Sequence, residues 1–134
     1  MRTFKEDYKN GILNEQSLKE MLEFKFCDKL VKTDRYCIID FEGERCWIEI
    51  KGRTNSYDRY PTTLISKRKV DFAKKQTKDV YFVFAFTDGV YYLKYTPEVF
   101  DTFRYDYFMR PARIDKRDSE EMYCYIPITS LSCI

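Results

Sequence analysis

The chain of 134 residues contains no histidine. This excludes Ser-His and Cys-His triads, histidine-ligated zinc, and nucleases that use histidine as the general base. Any acid-base chemistry must come from carboxylates, lysines or tyrosines. Its five cysteines (Cys27, Cys37, Cys46, Cys124 and Cys133) are odd in number and show no CxxC spacing, so neither a zinc ribbon nor a disulfide framework is indicated. A reducing, intracellular compartment, the cytoplasm or nucleus of a host, fits that usage. No apolar run reaches the roughly 18 residues of a membrane span, and MRTFKEDYKN has neither the apolar core of a secretory signal nor the acid-free character of a transit peptide. No internal repeat and no low-complexity segment interrupts the chain. At this length a single domain spanning 1–134 is expected.

Charge is present but unevenly spread. The net charge is only +2, yet Lys51 to Lys78 holds nine lysines and arginines against two aspartates, so this stretch is strongly basic and the remainder acidic. A basic segment of this kind is either a solvated helix face or a track for a polyanion.

Periodicity gives a coarse order of elements. Asn14 can cap a helix over about 15–26, with Leu18, Met21, Leu22 and Phe26 at helical spacing. Lys29 to Lys32 reads as a short strand. Arg35 to Phe41 and Arg45 to Lys51, separated by Gly43, read as a β-hairpin. Residues 52–61 read as a loop, and Thr63 to Gln76 as a basic amphipathic helix. Val80 to Phe86, "VYFVFAF", is apolar on both faces and reads as a central strand; Asp88-Gly89 then turns into a strand over Val90 to Tyr95. Thr96-Pro97-Glu98 opens a short helix to about Thr102, and strands near Tyr105 to Met109 and Met122 to Ile128 flank a charged loop. The expected class is α/β, a mixed sheet flanked by helices.

The hairpin concentrates the chemistry. A turn at Glu42-Gly43 would set Glu49 across from Tyr36 and Lys51 across from Asp34. Asp34, Tyr36, Ile38 and Asp40 would then share a face with Arg45, Trp47, Glu49 and Lys51, while Cys46, Ile48 and Ile50 face a core. Two carboxylates and a lysine on one face suit Mg²⁺ or Mn²⁺, which take a few carboxylates plus water and phosphate oxygens. Asp40 lies inside an apolar strand, where an unpaired carboxylate needs a reason, whereas Asp34 reads as a solvated strand end.

Asp40, then Glu49-Ile50-Lys51, then a basic helix and an apolar strand together resemble the PD-(D/E)xK, or restriction-endonuclease-like, nuclease superfamily. "DFEGERCWIEIKGR" followed by "YPTTLISKRK" is similar to small nucleases of large DNA viruses and phages and to resolvase-like members. The resemblance implies an α-β-β-β-α-β core over about 15–86 with extra C-terminal strands, and a Mg²⁺- or Mn²⁺-dependent phosphodiesterase. It implies Asp40 and Glu49 as metal ligands, the Ile50 carbonyl completing the set, Lys51 as catalytic lysine, and a helical Glu: Glu20, then Glu23 or Glu15. Two departures stand out. Ile39 replaces the proline before the aspartate, and the nine-residue step from Asp40 to Glu49 is short for the family, whereas the fifteen from Asp34 is commoner, so Asp34 stays open as a ligand. The Gln-x-x-x-Tyr motif of RecB-like exonucleases is missing, since Val80 stands fourth after Gln76.

Around this center, Arg53, Arg59, Tyr60, Lys67, Lys69 and Lys74 are the candidate phosphate contacts, with Trp47 or Tyr60 free to stack on a base. Arg110, Arg113 and Arg117 are candidates for a second DNA arm or a partner subunit. The expected partner is DNA, with a homodimer in keeping with the small size. The expected activity is a structure-dependent endonuclease of resolvase or nickase type. A catalytically silent DNA-binding module and an RNA endonuclease are the alternatives.

Overall fold

The structure, a computed structural model, describes residues 15–107 and 121–134. Asn14, Met109 and the loop arginines Arg110, Arg113 and Arg117 lie outside them.

Helix α1 spans Glu15–Phe26, followed by short strands β1 (Val31–Lys32) and β2 (Phe41–Glu42), and by β3 (Cys46–Gly52). Strand β4 (Thr62–Ser66) leads straight into α2 (Lys67–Lys74), and β5 (Asp79–Phe86) turns into β6 (Gly89–Lys94). A one-turn helix α3 (Pro97–Phe100), strands β7 (Arg104–Tyr107) and β8 (Met122–Pro127), a 3₁₀ turn and β9 (Ser132–Cys133) complete the order. No helix among the described residues is long and apolar enough to cross a membrane.

Two sheets form. The larger has the order β1-β2-β3-β5-β6-β9 and the smaller β4-β8-β7. The larger is mixed, because β3 and β5 run parallel, joined by the β4–α2 crossover, while its other neighbours are antiparallel. Alternation along β5 explains why it sits centrally. Phe82, Phe84 and Phe86 face a layer containing Val70 and Ala73 of α2 and Ile65, Cys124 and Ile126 of the smaller sheet. Val83 faces the other way, onto Leu22 of α1, Ile48 and Val90. Each fully buried phenylalanine contributes roughly 1.5–3 kcal/mol of transfer free energy. Strand β3 is covered on both sides too: Cys46 and Ile48 lie on the α1 side, and Trp47 packs on the α2 side.

The structure departs from the sequence expectation at two places near β3. Residues 35–40 do not form a strand. Asp34 Oδ1 accepts from the Tyr36 N–H at 2.7 Å, the Cys37 N–H bonds the Asp34 carbonyl at 3.0 Å, and the Thr33 hydroxyl donates to the Asp40 carbonyl at 3.0 Å. These local bonds offer the backbone an alternative to a ladder. The expected helix from Thr63 begins only at Lys67, since Thr62-Thr63-Leu64-Ile65, three of whose four residues are β-branched, pairs with β8 instead.

The β2–β3 register also differs. Phe41 pairs with Ile48 and Glu42 with Trp47, so the chain reverses at Glu44-Arg45 and not at Glu42-Gly43. Asp28 fixes this turn. Its carboxylate accepts the N–H groups of Glu44 (3.1 Å) and Arg45 (2.9 Å), and the Arg45 guanidinium reaches back to the Cys27 carbonyl. Gly43 is required here by closeness alone, because a Cβ would stand 2.2 Å from Asp28 Oδ2.

Candidate active site

Asp40 stands one residue before β2 and close to Glu49, whose carboxyl feels its charge. The expected shared face is not formed as a whole: residues 35–40 make no strand, so Asp34, Tyr36 and Ile38 are not aligned opposite β3, and of that set Asp40 is the one brought to Glu49. Asp40 Oδ2 accepts the Ile50 N–H at 3.0 Å. Glu49, only 1% exposed, is the one buried acidic side chain among the described residues. Its Oε2 receives the Lys69 ammonium from α2, and Lys51 Nζ lies 3.6 Å from the same oxygen. Its Oε1 is buried and has no hydrogen-bond partner.

The electrostatics follow from this crowding. Burial pushes the Glu49 carboxyl above its ordinary range; the Lys69 ammonium opposes that and the adjacent Asp40 carboxylate adds to it. Lys51 is held below the ordinary lysine value, first by burial and then by the neighbouring Lys69, with Glu49 pulling the other way. A carboxylate buried this deeply with an unmet oxygen is costly to keep as mere structure.

The donor set fits a hard divalent cation. Among the described residues no three acidic, cysteine or histidine side chains are grouped so as to hold a metal ion, so any ion here would rest on few protein ligands. Two adjacent carboxylates, one with an orphaned oxygen, suit Mg²⁺, which retains waters and recruits substrate oxygens. The Ile50 carbonyl would be available as a third donor. The N–H and C=O of a strand residue point to the same side, and the Ile50 N–H is aimed at Asp40.

Other candidates fall into two groups. Asp34 is exposed and caps its own turn. Glu20 is exposed beside Gln16 (3.3 Å), Glu23 accepts the Leu30 N–H at 2.8 Å, and α1 covers the opposite face of the sheet from Glu49. Trp47 packs edge-on against Phe72 with centroids 5.2 Å apart, so it belongs to the core, whereas Tyr60 is exposed with Arg59 over its ring. Arg53 Nε bonds Thr63 Oγ1 at 3.0 Å and its guanidinium also reaches the Leu64 carbonyl, tying β3 to β4. Lys67 pairs with Asp71 at 2.9 Å and Lys74 approaches the same carboxylate at 3.9 Å. Both therefore offer less free charge than the sequence implies.

A cleft of about 400 Å³ opens beside the Glu49 cluster, lined by Lys51, Arg53, Ser66, Arg68, Lys69 and Tyr123 among others. Sequence reasoning named Lys69 as a phosphate contact and missed its inward aim. The signal was there, because Lys69 precedes buried Val70 and lies one turn before buried Ala73, at the edge of the apolar face. It also passed over Arg68, which is exposed at the cleft.

Neither a curated protein nor a solved structure matches the chain. A family model described as "Phage putative PDDEXK endonuclease" matches residues 7–134, and with it the chain belongs to that phage family of PD-(D/E)xK endonucleases.

Proposed function

We propose that the chain is a single-domain, Mg²⁺- or Mn²⁺-dependent endonuclease acting on DNA, structure-dependent in the manner of a resolvase or nickase, with the α-β-β-β-α-β core of its superfamily. Family membership supplies the nuclease class. The observation that carries the rest is Glu49: a fully buried carboxylate beside Asp40, with an unmet oxygen and two lysines against it.

Asp40, Glu49 and the Ile50 carbonyl would hold the ion, which when bound would polarise the scissile phosphate and acidify a coordinated water. Lys51 stands at the edge of the cleft, its ammonium depressed by burial, so it can orient the attacking water and release a proton more readily than a solvated lysine. Asp40 anchors the Ile50 N–H and thereby holds the Glu49-Ile50-Lys51 backbone against the end of β2. Arg68 from the start of α2, and Arg59 with Tyr60 from the loop before β4, supply exposed cations and an aromatic face for the phosphate backbone. A homodimer would supply a second active site for a two-stranded substrate.

Incubation with plasmid, single-stranded and four-way-junction DNA, in Mg²⁺, Mn²⁺ or EDTA, tests this reading beside Lys51→Ala and Glu49→Ala. Cleavage is expected with either metal, strongest on the junction, and abolished by EDTA and by both substitutions. Cleavage that survives EDTA, or is unchanged in Glu49→Ala, would refute it.

A further inference from the structure

Glu49 has more positive charge against it than one carboxylate requires. The Lys51 and Lys69 ammonium groups converge on one oxygen, Oε2, and leave Oε1 unmet. With Asp40 adjacent, the four side chains form a neutral cluster of two carboxylates and two ammoniums. A divalent cation on Asp40 and Glu49 would bring excess positive charge against a carboxylate that is itself fully buried. One ammonium has to yield. Both lysines line the cleft, but Lys69, reaching over from α2, makes the closer contact with Oε2, whereas Lys51 stands off at 3.6 Å; the ammonium in an ion's way is that of Lys69, and its flexible four-carbon stem has the cleft to swing into.

We infer that Lys69 is the resident counter-ion of the metal-free site: it occupies Glu49 until a divalent cation arrives, and is then released into the cleft beside Arg53 and Arg68. The inference rests on the metal-site reading proposed above. Its consequence is that metal loading and the positive charge of the cleft are linked, because the ion that fills the site frees an ammonium for an anionic substrate. Lys69 is in this sense a positioning residue, acting through Glu49.

Two measurements on the nucleic-acid-free protein test it, neither of them an activity. In the first, Mn²⁺ binding is followed by electron paramagnetic resonance of the free ion, at a pH near 8. Lys69→Met is expected to bind Mn²⁺ about tenfold more tightly than wild type, because the competing charge is gone. Lys94→Met, altering a surface lysine paired with Asp79, should stay within about twofold. In the second, the wild-type protein is treated with a lysine-acetylating reagent and mapped by mass spectrometry. Lys69 should be protected without metal and become severalfold more reactive with saturating Mn²⁺, while Lys67 is unaffected. This arm needs no variant, so it decides the matter even if Lys69→Met folds poorly. Mn²⁺ binding to wild type with Lys69 still protected, or with no gain in Lys69→Met, overturns the inference and leaves the metal site standing. No Mn²⁺ binding by either protein overturns both.

Discussion

Asp28 offers a direct test of how the candidate site is held in register. Its carboxylate accepts two backbone N–H groups of the β2–β3 turn, at 2.9 and 3.1 Å, and lies 3.4 Å from Cys46 Sγ. Hydrogen bonds to a charged acceptor are worth about 1.5–3 kcal/mol each when buried, and water competes at this turn, so Asp28→Ala should cost about 2 kcal/mol and Asp28→Asn about 1 kcal/mol. Gly43→Ala places a Cβ where Oδ2 now stands and must displace the same carboxylate, so it should cost a similar amount. The double substitution Asp28→Ala with Gly43→Ala should then cost little more than the larger single one, a coupling visible in urea unfolding curves. Protonation supplies an independent handle. Partial burial works to raise the Asp28 pKa, but the hydrogen bonds from Arg45, Cys46 and Glu44 outweigh it and leave the carboxyl below its ordinary value. A carboxyl depressed in the folded state stabilises above the unfolded pKa, and that contribution is lost as pH falls through the lower folded value. The gap between wild type and Asp28→Asn should therefore be full near pH 6 and shrink below about pH 4. Additive costs in the double variant, or a gap that stays constant down to about pH 2.5, would refute this account of the turn.

Two further outcomes follow from the cleft and the core. For DNA binding measured against salt in EDTA, Arg68→Met should reduce the slope of log affinity on log salt by about 0.9, and Lys67→Met by clearly less because Asp71 already neutralises it; equal reductions would contradict the assignment. Burial, with Asp28 beside it, pushes the Cys46 thiol up to about 12, so iodoacetamide at pH 8 should label exposed Cys27 and Cys133 in the native protein and spare Cys46; comparable labelling of Cys46 would show that the α1 side of β3 is open.

The amino-acid order made some of this legible and hid the rest for physical reasons. Helix α1 and strand β5 follow from patterns that packing reinforces: one apolar stripe in the first, two apolar faces in the second. Glu49 and Lys51 were readable because alternation along Cys46-Trp47-Ile48-Glu49-Ile50-Lys51 fixes faces whatever the turn does. The turn itself was not, because its position depends on Asp28, sixteen residues before Glu44, and no local pattern announces that contact. Strand β4 was hidden for the same kind of reason: its partner β8 lies some sixty residues further on, and Thr63 and Ile65 carry a pattern that short windows fit to either period. Lys69 looked like one more surface cation because charge alone does not reveal which lysine lies over a buried carboxylate.

The pairing of β4 with β8 also bears on when the site can exist. Thr62 meets Pro127 and Ser66 meets Tyr123, so one wall of the cleft is closed by sequence made long after the strand that carries Glu49 and Lys51. Contacts of such separation form late and at a high loop-closure cost. On the ribosome, β3 emerges well before β8, whose Tyr123 lines the cleft. A chain halted before β8 would hold Glu49 and Lys51 without that wall of the cleft. The proposed site is thus completed only when β8 pairs with β4, a timing written into strand order.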